Sequence, residues 1–240
     1  MAKVGLMNCA RTYTELVPGQ GGRVLGRAAP KLIATAGPAA LSAVGFFAVG
    51  ALTLWRRQPD EDAYILFRYA EHVARGAGIV FNASGPHAEG ATDFLWLLML
   101  SGLNALGLDV AIAALVLNSA GAGLAGYLFT LAMDRSGLSR TPRTIALALV
   151  PLCVLSLSAA TAAYGGFSSM LYSALVLAGL HAGLEANARA ILWVPFLALT
   201  LGVFRPEGAL IGVAITWLGA RRALDLARMR AYLKVTLGAG

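Results

Sequence analysis

The stretch DEDAYILFRYAEHVARGAGIVFN, residues 60–82, sets three adjacent carboxylates, Asp60, Glu61 and Asp62, ahead of Arg68, His72 and Arg75. Neighbouring carboxylates repel one another, and a half-buried interface adds desolvation. Both effects make one of them a candidate proton acceptor working near neutral pH. The plainer reading is a helix start, where carboxylates favour the exposed N–H groups and the positive end of the dipole. One acid suffices for that purpose, so a base at Glu61 or Asp62 stays open. The second chemical feature is Arg205-Pro206-Glu207, between two apolar segments. Arginine presents a fixed fork of donors that matches phosphate oxygens, which makes Arg205 a candidate anion ligand. The plainer alternative is a turn whose glutamate opens the next helix.

The elements that must carry these residues are legible from punctuation and period. No Gly or Pro interrupts 62–75, and Gly76 and Gly78 follow, which predicts a helix of about fourteen residues ending at a glycine stop. Seven residues are nearly two turns, so Glu61, Arg68 and Arg75 share a face with His72 beside them. Ile65, Leu66, Phe67, Tyr69 and Val73 form an apolar remainder able to lie on lipid or on a bundle. This is the pattern of a helix at a membrane surface.

The rest of the chain supplies the membrane. Of 240 residues, 58% are hydrophobic and 13% charged, and mean hydropathy is +0.70; a soluble domain is about 25% charged. Residues 32–55 carry no charge and, at about 1.5 Å per residue, cover a hydrocarbon core of roughly 30 Å. A long polar segment precedes them and no small-residue cleavage site follows, so they read as an uncleaved signal anchor. The net charge of +7 falls beside apolar segments without a nucleic-acid-binding motif, which excludes nucleic acid as the expected partner. Cys9 and Cys153 are too separate in context to make a disulfide framework or a metal site. No metal ligand set is expected, although folding could recruit Asp60, Glu61, Asp62 and His87.

Residues 1–31 read as a mobile, basic cytoplasmic tail and 32–240 as a transmembrane domain with an external loop at 56–109. Further apolar segments run near 94–107, 110–133, 144–163, 167–184, 188–204 and 207–220. Cytoplasmic flanks are enriched in Lys and Arg. If 94–107 lies along the outer surface, fourteen of the 19 basic residues fall inside and five outside; letting it cross inverts everything after it. The expected fold is therefore an all-α polytopic bundle of about six transmembrane helices, plus two surface helices in the first external loop. Three external patches, 56–109, 164–168 and 204–208, are where chemistry would converge. His181, near an inner end, reads as a satisfied or snorkelling histidine. The scarcity of acids within the spans argues against a proton-coupled small-solute transporter.

Taken together, EDAYILFRYAEHVARGAGIVFN, EGATDFLW and FRPEGAL resemble the polytopic GT-C glycosyltransferases, especially bacterial arabinofuranosyltransferase-like and mannosyltransferase-like members that use polyprenyl-phosphate sugars. The resemblance runs from about 33 to 240. It implies a bacterial inner-membrane enzyme with an external active face and no cofactor beyond the lipid-linked sugar it consumes. By this resemblance the loop's acidic pair falls on Glu61 and Asp62, with glutamate where aspartate is usual. Arg68 matches the loop helix and, with Arg205, is the expected donor-phosphate ligand. Asp60, Tyr64, Asn82, Glu89, Asp93 and Glu207 are the expected substrate-binding residues, Asp93 standing where asparagine is usual. In YGGFSSMLY, Ser168 stands where the family usually has an acid, so acceptor binding or catalysis is altered or lost. The chain stops at LKVTLGAG, where relatives continue. That leaves open a short form, a split product or a fragment, with a second chain completing the fold. The expected function is sugar transfer from a polyprenyl-phosphate donor to a hydroxyl of an external glycan or lipid; the alternative is a non-catalytic membrane subunit.

Overall fold

The structure is a computed structural model that describes residues 21–55, 58–84, 90–136, 139, 145, 161, 165–184 and 188–225. Seven α-helices and no strand occur among them: α1 (Gly21–Leu54), α2 (Glu61–Ala74), α3 (Phe94–Ala105), α4 (Val110–Arg135), α5 (Ser169–Leu184), α6 (Ala188–Phe204) and α7 (Gly208–Asp225). Two are long and apolar enough to cross a membrane by length and composition, α1 through Gly37–Leu54 and α4 along its whole length. α3 is apolar but has only 12 residues. Its rise of about 18 Å cannot cross a core of about 30 Å.

α1 starts ten residues before the expected end of the basic tail. Once a turn has formed, each added residue gains a hydrogen bond at small further entropy cost. Leu25, Arg27, Ala28 and Ala29 are good helix formers and favour this extension, against Gly26 and Pro30, which has no N–H to add to the ladder. The remainder of the expected tail, 1–20, and the expected segment 144–163, apart from Ile145 and Thr161, lie outside the described residues.

Helix directions follow from which residues touch. α1 and α4 are antiparallel: a Cβ on Gly123 would meet Ala43, and one on Gly126 would meet Ser42 and Pro38. α6 and α7 form an antiparallel hairpin, with Gly212 against Ala198 and Gly202 against Ala209. α5 runs parallel to α4, with Leu171 against Gly121 near its start and His181 bonded to Arg135 further along, at 2.8 Å. Asn118 and Arg135 are about 26 Å apart along α4 at 1.5 Å per residue, so the end of α4 and the start of α5 lie roughly that far apart. Glycine and alanine recur at these crossings because small residues let two backbones approach closely enough for dispersion to hold them.

The end of the bundle where α1 and α6 finish and α4, α5 and α7 begin is closed by α2 and α3. Their inner faces, including Phe67, Tyr69, Trp96, Leu97 and Leu100, join Val110, Tyr172 and Phe204 in one buried cluster. A smaller cluster of Phe46, Leu115 and Ala122 fills the α1–α4 seam.

Candidate functional site

The site is built on the turn between α6 and α7. The Arg205 amide donates to the Leu201 carbonyl at 3.1 Å, Gly208 to Arg205 at 2.9 Å and Ala209 to Pro206 at 3.2 Å. A Cβ on Gly208 would collide with the Leu201 carbonyl, so only glycine permits a reversal this tight. Pro206, with its fixed φ and no N–H to satisfy, suits the same turn. The reversal brings Arg205 over α5 and α3. Its Nε donates to Asp93 Oδ1 at 3.2 Å and lies 3.3 Å from Glu207 Oε1, and its guanidinium carbon stands 5.4 Å from the centre of the Tyr172 ring. Ser168 Oγ donates to the other carboxylate oxygen of Asp93 at 2.8 Å. Asp93 and Ser168 are buried. One residue from each of the three segments expected outside the membrane thus meets in a single hydrogen-bonded cluster.

The 165–168 loop reaches this position because its backbone is pinned from three helices. Gly166 adopts φ +89°, a region costly for any residue with a Cβ, and a Cβ there would strike Phe67 at 2.6 Å and Ala63 at 2.8 Å. Its carbonyl accepts from Trp96 Nε1 of α3 at 3.3 Å. From α4, Asn118 donates to the Phe167 carbonyl at 2.7 Å and accepts from the amides of Met170 and Leu171 at 3.2 and 3.3 Å. A side chain of one helix therefore caps the first turn of another, where the amides have no partner of their own.

The acidic run sits at the same end. α2 spans Glu61–Ala74 with Arg75 as its C-cap, and Gly76 at φ +78° ends it, as the glycine stop predicts. The Asp60 amide donates to the Gly165 carbonyl at 3.3 Å. Three residues span at most about 11 Å, so the main chains of Asp60 and Ser168 lie within roughly 15 Å of each other. Two expectations change here. Asp60 occupies the N-cap position without a side-chain capping bond; its Oδ2 lies 2.6 Å from where a Cβ on Gly165 would be. Glu61 and Asp62 are exposed rather than half-buried, because α2 buries Ala63, Leu66, Phe67, Tyr69 and Ala70 instead. Both are accessible to a ligand from solvent.

Arg68, expected on the donor phosphate, serves the loop after α2. Its Nε donates to the Phe81 carbonyl at 2.7 Å and an Nη to Asn82 Oδ1 at 3.0 Å, while the guanidinium lies 4.7 Å from the Phe81 ring centre. His72 Nδ1, 2.7 Å from the Val80 carbonyl, holds the same segment. Asn82 is therefore tied to Arg68, a use its sequence position did not signal. Tyr64 is 45% exposed and packs edge-on against Phe67 at 5.8 Å between ring centres. Glu89 lies outside the described residues. No group of three metal-ligating side chains occurs among the described residues.

Two participants, Tyr172, which ends the YGGFSSMLY stretch without being singled out there, and Asn118, emerge only from the packing of α4, α5 and the α6–α7 turn. The cluster's charge also constrains its chemistry. One arginine faces two carboxylates, and an incoming anion displaces Glu207, whose side chain is 55% exposed, more readily than Asp93, at 10%. No known family model, curated protein or solved structure matches the chain.

Proposed function

We propose that the chain is a glycosyltransferase of the bacterial inner membrane. Six crossings put both termini in the cytoplasm, and the enzyme moves a sugar from a polyprenyl-phosphate donor to a hydroxyl of an extracytoplasmic glycan or lipid. The observation that supports this reading is the Asp93–Arg205 ion pair closed by Ser168. It joins three remote segments at the end of the bundle that also carries the free acids of α2. Glu61 or Asp62 takes the proton of the acceptor hydroxyl as its oxygen bonds to the sugar's anomeric carbon. The bond from that carbon to the phosphate oxygen breaks with its electron pair, and Arg205, released from Glu207, stabilises the departing lipid phosphate. A phosphate leaving group needs a cation and little acid help, so one base and one arginine suffice. Asp60, Tyr64 and Asn82 then line the approach from the external loop.

The test is transfer by the purified protein in lipid vesicles, using a radiolabelled polyprenyl-phosphate pentose or hexose and an acceptor glycan. Replacing Glu61 and Asp62 together by Ala removes the base and lowers turnover by at least about 100-fold, while the protein still inserts. Retained turnover refutes the assignment. The second reading, a non-catalytic subunit completed by another chain, is favoured by the neutral Ser168 and by an Arg205 already faced by two carboxylates. Wild-type protein that transfers nothing alone, yet restores transfer when a co-purifying acid-bearing chain is added, establishes it.

A further inference from the structure

Tyr172 lies in the first turn of α5 and is only 8% exposed, yet its hydroxyl is buried with no hydrogen-bond partner among the described residues. Buried tyrosine hydroxyls normally find one, because an unsatisfied donor forfeits its hydration without return. Its surroundings show what the hydroxyl is aimed at. Oη would lie 3.1 Å from a Cβ on Gly208, the first residue of α7, so it stands against the start of an 18-residue helix, where the dipole favours anions. The face of the same ring carries the Arg205 guanidinium. Both carboxylates engage that guanidinium through Nε, and its two terminal nitrogens make no hydrogen bond with the described residues. A neutral donor, a cation whose two terminal nitrogens have no partner among the described residues and a helix start therefore converge under one turn.

We propose that the Tyr172 hydroxyl and the terminal nitrogens of Arg205 together bind phosphoryl oxygens of the substrate. This rests on the proposed function and adds a ligand-binding residue to it. In the free protein the turn covers Oη. When an anion displaces the exposed Glu207 carboxylate, the turn shifts with it, Arg205 stays on the ring face and Oη gains an acceptor. The ring platform and the hydroxyl are separable contributions: the first positions Arg205, the second touches the ligand.

Tyr172→Phe separates them, since it keeps the ring and deletes only the donor. Wild type, Tyr172→Phe and Arg205→Lys in lipid nanodiscs are each titrated with a long-chain polyprenyl monophosphate and, separately, with inorganic phosphate. The expected result is about tenfold weaker binding by Tyr172→Phe, the loss of one hydrogen bond to a charged acceptor, with its melting temperature in the absence of ligand unchanged. A loss for both ligands assigns the subsite to the phosphoryl group itself; a loss for the lipid alone assigns it to the carrier. Unchanged affinity in Tyr172→Phe overturns the proposal, as does a lower melting temperature without ligand, which would reveal a structural partner for the hydroxyl. If wild type binds the lipid phosphate, Arg205→Lys loses it and Tyr172→Phe keeps it, only the role of Tyr172 falls. If wild type binds neither ligand, the functional reading falls with it.

Discussion

Asp93 and Glu207 face the same guanidinium from opposite situations. The Asp93 side chain is 10% exposed and also accepts from the wholly buried Ser168, whereas Glu207 is 55% exposed. Exposed ion pairs contribute about 0–1 kcal/mol because water and salt screen them. A mostly buried carboxylate whose removal strands two donors is worth more, although the partial exposure of Arg205 and its second partner keep the loss below the 3–5 kcal/mol of a fully buried pair, at about 1–3 kcal/mol. Asp93→Ala should therefore lower the melting temperature of the purified protein by several degrees, while Glu207→Gln stays within about a degree of wild type. Equal losses would mean that Glu207 anchors the turn as firmly as Asp93. Arg205 and Glu207 stood out in the sequence as charges between two apolar segments, whereas Asp93 was singled out only through the resemblance carried by EGATDFLW. The sequence could not reveal that Asp93 turns inward. Nor did it point to Tyr172 or Asn118, since an aromatic or an amide in an apolar helix looks like any other until its neighbours are known. Arg68 shows the converse: a charged residue of the right type is spent on the Phe81 carbonyl and Asn82.

At the scale of elements, local chemistry was readable and close approach was not. α2 ends where Gly76 stops it, and α3 falls in the apolar run expected to lie in the loop, because both depend on residues adjacent in sequence. The seating of the 165–168 loop depends instead on residues far apart, Trp96, Asn118 and Phe67. Gly121 is the most exacting of these contacts: a Cβ there would lie 2.6 Å from the Leu171 Cα and 2.7 Å from its N. Backbone cannot yield as a side-chain tip can, so α5 would have to move away from α4, taking Ser168 with it. Gly102 on α3 has nothing within 4 Å of the same position. Gly121→Ala should destabilise the protein by about 1–3 kcal/mol through overpacking. Gly102→Ala, which relieves the backbone entropy of a helical glycine, should be neutral or stabilising by up to about 1 kcal/mol. Thermal unfolding of the two variants in detergent measures the contrast, and matching behaviour would show that the α4–α5 contact is not tight in the native protein.

For the whole molecule, the distribution of Lys and Arg and the lengths of the helices constrain the same question from independent directions. The charge argument turned on keeping 94–107 out of the membrane, and α3, at about 18 Å, is too short to cross. α4 carries the opposite implication. Its 26 residues rise about 39 Å, more than a hydrocarbon core of roughly 30 Å, which is long enough to set residues before Val110 and after Arg135 on opposite faces of a membrane. Ser84, in the exposed stretch after α2, and Ser136, exposed just past α4, report on those two faces. With Cys9 and Cys153 replaced by Ser, single Ser84→Cys and Ser136→Cys proteins can be treated with a membrane-impermeant maleimide on intact cells. The expected outcome is labelling of Ser84→Cys from outside and of Ser136→Cys only after the membrane is permeabilised. Labelling of both from one side would mean that α4 does not cross. The Asp93–Arg205 cluster, which sits at the start of α4 and not at its end, would then lose its claim to an extracytoplasmic substrate.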